Sequence, residues 1–424
     1  MYNLIIHIYQ LAVRIYARFN SKACTMWEGE RAAIATLREK MESGAKYIWF
    51  HAASLGEFEQ GRPLMEHARR ALPQYKILLT FFSPSGYEVR KDYEGADIIT
   101  YLPLDTRRNA RRFLRTVRPV AAFFIKYEFW YNYLHILKHR RIPVFSVSSI
   151  FRPDQIFFRW YGKQYAYVLR CFTHFFVQND ESRHLLAKIG IRDNVSVTGD
   201  TRFDRVLTVQ QSAKALPVVE HFCRTQQPDA PHVFIAGSSW QPDEDIFIRY
   251  LRERNLLDTQ QWKLIIAPHV IDNAHLNEIG QKLQGLRVVR YTQADDETDL
   301  NNAHVLIVDC FGLLSAIYRY ATVTYVGGGF GEGIHNLLEA AVWGKPVLFG
   351  PNNRKFQEAQ DLKANGGGIE IADDAAFANT MDQLLANPQQ ISDAGDKAHH
   401  YVKANAQVTT NILNILHSQY GHVL

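Results

Sequence analysis

The chain has 424 residues, 47% of them hydrophobic and 21% charged, which is enough for two or three domains with sizeable cores and too apolar for a disordered chain. Its four cysteines, Cys24, Cys171, Cys223 and Cys310, form no CxxC pair or metal-ligand spacing, so a disulfide framework and a zinc site have no support and a reducing, cytoplasmic setting fits best. The net charge of +5 hides an asymmetry: residues 1–210 hold 32 Lys+Arg against 19 Asp+Glu and the rest 16 against 24, so the first half should seek anions such as nucleic acid, an anionic membrane face or a phosphorylated substrate.

Residues 1–22 read as a membrane-proximal amphipathic helix. Tyr2 to Arg18 is mostly apolar with interfacial tyrosines, and Arg14, Arg18 and Lys22 follow. The run is too short to span a bilayer and lacks the small-residue cleavage site of a secretory signal. It either lies in the plane of a membrane or docks on the protein.

From residue 23 to 208, short apolar runs alternate with helical patterns: Tyr47–His51, Lys76–Thr80, Ala121–Ile125, Pro143–Val147, His174–Val177 and Val195–Val197. Such runs read as buried parallel strands of a doubly wound, Rossmann-like α/β domain. The basic run Arg107 to Arg118 has helical spacing around Phe113, Leu114 and Val117, which describes a solvated helix face. Residues 209–231, with Pro217, Pro228 and Pro231, read as a linker. Alternation resumes in 232–424 with Val233–Ala236, Lys263–Ala267, Leu286–Val289, Val305–Val308, Val323–Val326, Pro346–Phe349 and Ile369–Ile371, then closing helices from Ala394 to Gln419. The expectation is α/β throughout, two such domains facing across a cleft.

In open α/β sheets ligands bind beyond the carboxyl ends of strands, which selects Ser54-Leu-Gly-Glu57, Tyr127-Glu128-Phe-Trp130, Gly237-Ser238-Ser239 and Ala267-Pro268-His269. In 325–351 an apolar run ends in Gly327, Gly328 and Gly329, and a helical pattern begins at Asn336. Glycines admit close backbone approach, and a helix start presents N–H groups to an anion, so this reads as a phosphate or nucleotide site with His335, Asn336 and Glu339 near one another. It lacks the P-loop ending and the dinucleotide fingerprint. Glu57, past a strand and before a helix, is placed to take a proton from a nucleophile, or only to complement the helix dipole. Glu128, with Lys126 nearby, positions a substrate or forms an internal ion pair. No nucleophile elbow, Cys–His pairing or His-rich metal spacing is present.

Six blocks, His51-Ala-Ala-Ser-Leu-Gly-Glu57, Thr80-Phe-Phe-Ser-Pro-Ser-Gly86, Tyr101-Leu-Pro-Leu-Asp105, Tyr127-Glu-Phe-Trp130, Thr198-Gly-Asp-Thr-Arg-Phe-Asp204 and Gly327-Gly-Gly through Gly333-Ile-His-Asn-Leu-Leu-Glu339, together resemble the 3-deoxy-D-manno-octulosonic acid (Kdo) transferases of lipopolysaccharide assembly. The resemblance covers about residues 45–365. It implies an inverting GT-B glycosyltransferase that moves Kdo from CMP-Kdo to a hydroxyl of a lipid A precursor and releases CMP at the cytoplasmic face of the inner membrane. It implies Glu57 as general base. It also implies CMP contacts from Pro268, His269, Phe311, Gly312, Leu313, Asn336, Leu337, Leu338 and Glu339, to which Gly237, Ser238 and His335 are added as candidates, and acceptor or structural roles for Ser54, Glu128 and Arg202.

Where many members have Pro-Arg-His this chain has Ala267-Pro268-His269, so the arginine that meets the donor phosphate is missing, with Ser238, Ser239 or Arg202 as replacements. No metal or cofactor is predicted, and nucleic acid is not an expected partner. The alternatives are a sugar-nucleotide 2-epimerase on the same fold and a non-catalytic membrane-surface binding protein.

Overall fold

The computed structural model describes residues 2–224, 232–259, 261–295 and 297–421. They fall into two units, Met1–Arg205 with Ala406–Leu424, and Val206–Asn405.

The first unit runs α1 (Tyr2–Tyr16), α2 (Ser21–Lys40), β1 (Lys46–Ala52), α3 (Leu55–Ala71), β2 (Tyr75–Phe81), α4 (Pro84–Arg90), β3 (Ile98–Tyr101), α5 (Arg107–Val117), β4 (Ala121–Ile125), α6 (Tyr131–His139), β5 (Val144–Ser149), α7 (Lys163–Ala166), β6 (His174–Val177), α8 (Asp180–Lys188), β7 (Val195–Val197) and the start of α9 (Arg202–Ser212). Its seven parallel strands lie in the order β3-β2-β1-β4-β5-β6-β7. Helices cover both faces, so central strands are apolar on both sides; every residue of β1 after Lys46 is buried. One face is built around Trp49, whose indole packs 4.9 Å from Phe113 and donates to Thr80 Oγ1 at 2.8 Å. On the other, Phe50, Phe123 and Phe145 stack at 4.8 and 5.0 Å.

The second unit continues with α10 (Pro217–Cys223), β8 (His232–Ser239), α11 (Gln241–Glu253), β9 (Trp262–Pro268), α12 (Asn273–Lys282), β10 (Val288–Arg290), β11 (Val305–Ile307), α13 (Leu314–Ile317), β12 (Val323–Val326), α14 (Leu338–Ala341), β13 (Val347–Phe349), α15 (Gln357–Asn365), β14 (Gly368–Glu370), α16 (Asp374–Ala386) and α17 (Pro388–Ala404). The parallel strand order is β10-β11-β9-β8-β12-β13-β14. Each sheet grows in opposite directions from a switch point, between β1 and β4 in one unit and β8 and β12 in the other, which is where doubly wound sheets bind ligands.

Four expectations need correction or completion. The last helix, α18 (Val408–Tyr420), was expected with the second domain but belongs to the first unit. Val408, Ile412 and Leu416 join the core beside Phe50 and Phe145, and the Asp204 carboxylate accepts the N–H groups of Gln407, Val408 and Thr409 at its start. Strand β3, Ile98-Ile-Thr-Tyr101 at the sheet edge, was not expected as a strand. Of the expected linker 209–231, the beginning completes α9 and residues 217–223 form α10, which buries Val219 and Phe222; residues 225–231 lie outside the described residues. Finally, the helix after the glycine segment is α14, not a helix from Asn336: residues 333–336 are irregular, Gly333 has φ 134°, and Asn336 Oδ1 accepts the Leu338 N–H.

Candidate active site

In the first unit the chain leaves β1 at Ala52 and enters α3 through a reciprocal cap. Ser54 Oγ receives the Glu57 N–H at 3.5 Å, and Glu57 Oε2 reaches back to accept the Ala53 N–H at 2.6 Å. A Ser followed three residues later by Glu builds such a cap locally. A helix N-terminus alone would favour the carboxylate. Burial outweighs it here, the negative Glu128 adds to burial, and the Glu57 carboxyl is pushed up to about 7, against the opposing pull of the Ala53 N–H and the Lys126 ammonium.

Glu128, just past β4, is fixed by two partners: His51 Nε2 lies 3.0 Å from its Oε2, and the Trp130 indole N–H donates to the same oxygen. His51 is fully buried, with Nδ1 3.1 Å from the Thr80 carbonyl and 2.9 Å from Thr80 Oγ1. Lys126 takes a left-handed conformation, φ 63°, a cost that a non-glycine residue bears where its surroundings fix it; its ammonium sits 5.3 Å from the centre of the Tyr127 ring. Arg202 is committed to Asp200, a buried carboxylate, through its Nε at 2.9 Å and its own N–H at 2.9 Å. That pairing offsets its charge. Ser54, Glu57 and Glu128 are thus brought to one switch point.

In the second unit β8 and β12 run side by side, and the Gly327 N–H bonds the Gly237 carbonyl at 2.9 Å. A Cβ on Gly327 would lie 2.4 Å from Ser238 O, and one on Gly237 2.0 Å from Tyr318 Oη; only glycine fits either place. Ser238 itself is left-handed, φ 52°, and its hydroxyl has no hydrogen-bond partner among the described residues. The loop after β12 is self-bonded: Gly331 and Gly333 donate to Gly328 O, His335 donates to Gly327 O, and Gly328 donates to Asp243 Oδ2 at 2.9 Å. Two of the 333–336 amides expected at a phosphate are therefore already engaged.

What the loop presents is a stack of rings. Trp240 lies 4.8 Å from His269, and His269 lies 4.3 Å from His335, near-parallel in both pairs. The Trp240 indole N–H donates to His335 Nε2 at 3.1 Å, which fixes the tautomer with the proton on Nδ1. Desolvation lowers His269, and desolvation aided by His269 pushes His335 down to about 4. Both rings are neutral at pH 7.

Asn336 Nδ2 donates to Glu339 Oε1 at 3.0 Å. Leu337, Leu338 and Pro268 are buried, so their side chains belong to the core and only backbone is left for a ligand. Phe311 is 79% exposed beside Gly312, φ 91°, with Leu313 half-buried.

Residues that sequence reasoning passed over complete the place beside β8. Asp243 holds the Trp240 N–H, the Gly328 N–H and the Tyr325 hydroxyl at 2.8–2.9 Å. Pro242 followed by Asp243 is a helix-start signal, but nothing local announces that Asp243 reaches the glycine loop. Trp240 was equally unmarked, since its role depends on His269 and His335 arriving from other strands. Among the described residues, no group of three or more His, Cys, Asp and Glu side chains forms a metal cage.

Residues 27–205 match the family model of the 3-deoxy-D-manno-octulosonic acid transferases, which covers most of the first unit. A Kdo transferase of Aquifex aeolicus is 25% identical over 84% of this chain and 90% of its own length, and one of Bordetella pertussis 27% over 88% and 87%. Over most of its length the chain is similar to the Kdo transferases. In fold, the crystal structure of a putative UDP-N-acetylglucosamine 2-epimerase of Listeria monocytogenes superposes with a TM-score of 0.62 over 89% of this chain and 98% of that one. At 12% identity this likeness shows the fold alone. The two doubly wound units are of the GT-B type.

Proposed function

We propose that the protein is an inverting glycosyltransferase that moves Kdo from CMP-Kdo to a hydroxyl of a lipid A precursor and releases CMP. The observation that carries the assignment of the base is Glu57. A residue serving only as a cap would have its carboxylate favoured by the helix dipole, whereas this carboxyl is pushed up to about 7, where a general base works best near neutral pH. As the bond from C2 of the sugar to the CMP phosphate breaks, C2 gains oxocarbenium character. The acceptor oxygen bonds C2, and its proton passes to Glu57. The leaving phosphate takes the negative charge.

On the second unit, His335 Nδ1–H, His269 and the Ser238 hydroxyl are the donors for that phosphate, in place of the missing arginine, and the exposed Phe311 ring offers a face to the cytosine. The reaction requires Glu57 and these donors to serve one pair of substrates. The 2-epimerase alternative rests on fold likeness alone, while the family model and the relatives favour the transferase.

We place the protein at the cytoplasmic face of the inner membrane as a peripheral protein. Supporting this, α1 buries no side chain and exposes Leu4, Ile5, Ile8, Leu11 and Ile15, an apolar face suited to lie in the plane of a bilayer. Among the described residues no helix is long and apolar enough to cross one. Incubating the purified chain with CMP-Kdo and a tetraacylated lipid A precursor should release CMP and increase the mass of the lipid. Absence of both products ends the transferase reading.

A further inference from the structure

Strand β8 does not end straight. Its pairing with β9 joins Gly237 to Ala267 and then Ser239 to Pro268, so Ser238 is an extra residue between them, bulged out of the ladder and left-handed at φ 52°. Bulges re-aim side chains beside active sites, and a serine in this conformation is kept there by its surroundings. On one side Gly237 O accepts the Gly327 N–H at 2.9 Å; on the other Ser239 O accepts the His269 N–H, also at 2.9 Å. Ser239 is fully buried, so it does not face a ligand in place of the missing arginine. Its hydroxyl donates instead to Glu244 Oε1 at 2.9 Å.

Glu244 lies in the first turn of α11 and is 0% exposed. A helix start explains an acid at the surface, but a carboxylate buried this deeply costs free energy that an apolar side chain of its size would not. Its Oε1 lies 3.0 Å from His275 Nε2 of α12, and its Oε2 has no partner among the described residues. His275 is placed in turn by the Asp272 cap, whose Oδ1 accepts its backbone N–H at 2.8 Å. The carboxylate therefore ties α11 and α12 to one residue of the bulge, Ser239.

We propose that Glu244 is a positioning residue of the donor site: through Ser239 it fixes the bulge that aims the Ser238 hydroxyl, and the backbone that holds His269, at the donor phosphate. The inference rests on the proposed role of Ser238 and His269 as phosphate donors. A hydrogen bond weakens steeply as its distance and angle depart from the optimum, so a bulge free to shift would lose that contact without unfolding the strand.

The test is calorimetric titration of the full chain with CMP, well below the melting temperature. Ser239→Ala, which removes only the hydroxyl, and Glu244→Met, of similar volume, should each weaken CMP binding by about tenfold, the scale of one charge-assisted hydrogen bond. Glu244→Gln keeps an oxygen for Ser239 and should stay within about threefold of wild type, as should Glu253→Gln at the exposed end of α11. The losses from Ser238→Ala and Ser239→Ala should not multiply: the double variant should bind at least about threefold better than their product, because both act on the same contact. Should Glu244→Met not fold, Ser239→Ala and the double variant decide. Equal CMP binding by wild type and Ser239→Ala, even with a lower melting temperature, shows a role in folding alone and overturns the inference. Losses that multiply, or Glu244→Gln as weak as Glu244→Met, also overturn it, and all of these leave the donor site standing. No CMP binding by the wild type removes the donor-site reading and the inference together.

Discussion

Glu57→Gln separates two things that the carboxylate does. The glutamine keeps an oxygen to accept the Ala53 N–H, so the α3 cap survives, but it cannot take a proton. Turnover of CMP-Kdo should fall roughly 10²- to 10⁴-fold, the usual loss on removing a general base, with little change in donor affinity. Stability should move the other way. The ordinary carboxyl value is 4.5 and the folded one about 7, so the folded protein holds this proton more tightly than the unfolded chain. The contribution is fully present below about 4.5 and is lost as pH rises through about 7. That gap corresponds to at most about 3 kcal/mol, and partial exposure reduces it to roughly 1–2 kcal/mol. The variant should therefore melt close to wild type at acid pH relative to its own shift at pH 8, where it should be the more stable. The wild-type rate should climb through about pH 7 as Glu57 ionises, and Glu128→Gln, by removing the negative neighbour, should move that limb to lower pH. An unchanged turnover in Glu57→Gln, or a stability difference that does not vary with pH, refutes the reasoning.

Gly327→Ala should destabilise the second unit by about 1–3 kcal/mol, as overpacking does, because its Cβ would lie 2.4 Å from the backbone oxygen of Ser238. Gly331→Ala, whose nearest contact would be 3.8 Å away, should stay within about 0.5 kcal/mol; denaturant titration distinguishes them. CMP binding should take up a proton, since a phosphate beside His335, now pushed down to about 4, raises its affinity for protons; CMP affinity should rise as pH falls from about 8 to 6, and an enthalpy that does not depend on the buffer's ionisation heat would exclude this. Replacing Leu4, Ile8, Leu11 and Ile15 by Gln should weaken flotation with anionic vesicles by about fivefold per residue, from roughly 1 kcal/mol of lost burial each. These substitutions are a cleaner test than deleting α1, because Tyr2 donates to the buried Asp105 at 2.7 Å and deletion would strip that carboxylate of a partner; equal flotation would remove the membrane reading.

The parts of this molecule that were legible in the sequence are those with local causes. Thirteen strands could be read because strands of a covered parallel sheet are short apolar runs; β3, Ile98–Tyr101, was missed. Glu57 could be found because Ser54 and Glu57 make their cap within one turn. The glycines could be found because nothing but glycine fits where β12 meets the backbone of Ser238. The helix expected at Asn336 failed for a local reason that tertiary contacts override: Gly327 and Gly328 accept bonds from 331, 333 and 335, and a loop satisfied in that way has no need to coil. The Asp204 cap on α18 was out of reach of any periodicity, since it joins residues near positions 204 and 408. Asp243 and Trp240 share that origin: each acquires its role from partners on other elements.

In the proposed reaction the two switch points solve opposite electrostatic problems. Beside β1, a carboxylate must be basic enough to take a proton, and burial with a second carboxylate nearby supplies this at a cost in stability. His51 and Trp130 fix the oxygen of that second carboxylate, Glu128, so the buried His51 has a reason to stand in an otherwise apolar strand. Beside β8, phosphate charge must be met without holding a permanent cation in the free protein, whose desolvation would be costly. Neutral imidazoles stacked on Trp240 meet that requirement: they present an N–H to the arriving ligand and gain a proton only when the phosphate's own charge compensates it. An arginine at position 268 would do the same task as a fixed charge, so under the proposed reaction donor affinity should depend on pH in this chain where with an arginine it would not.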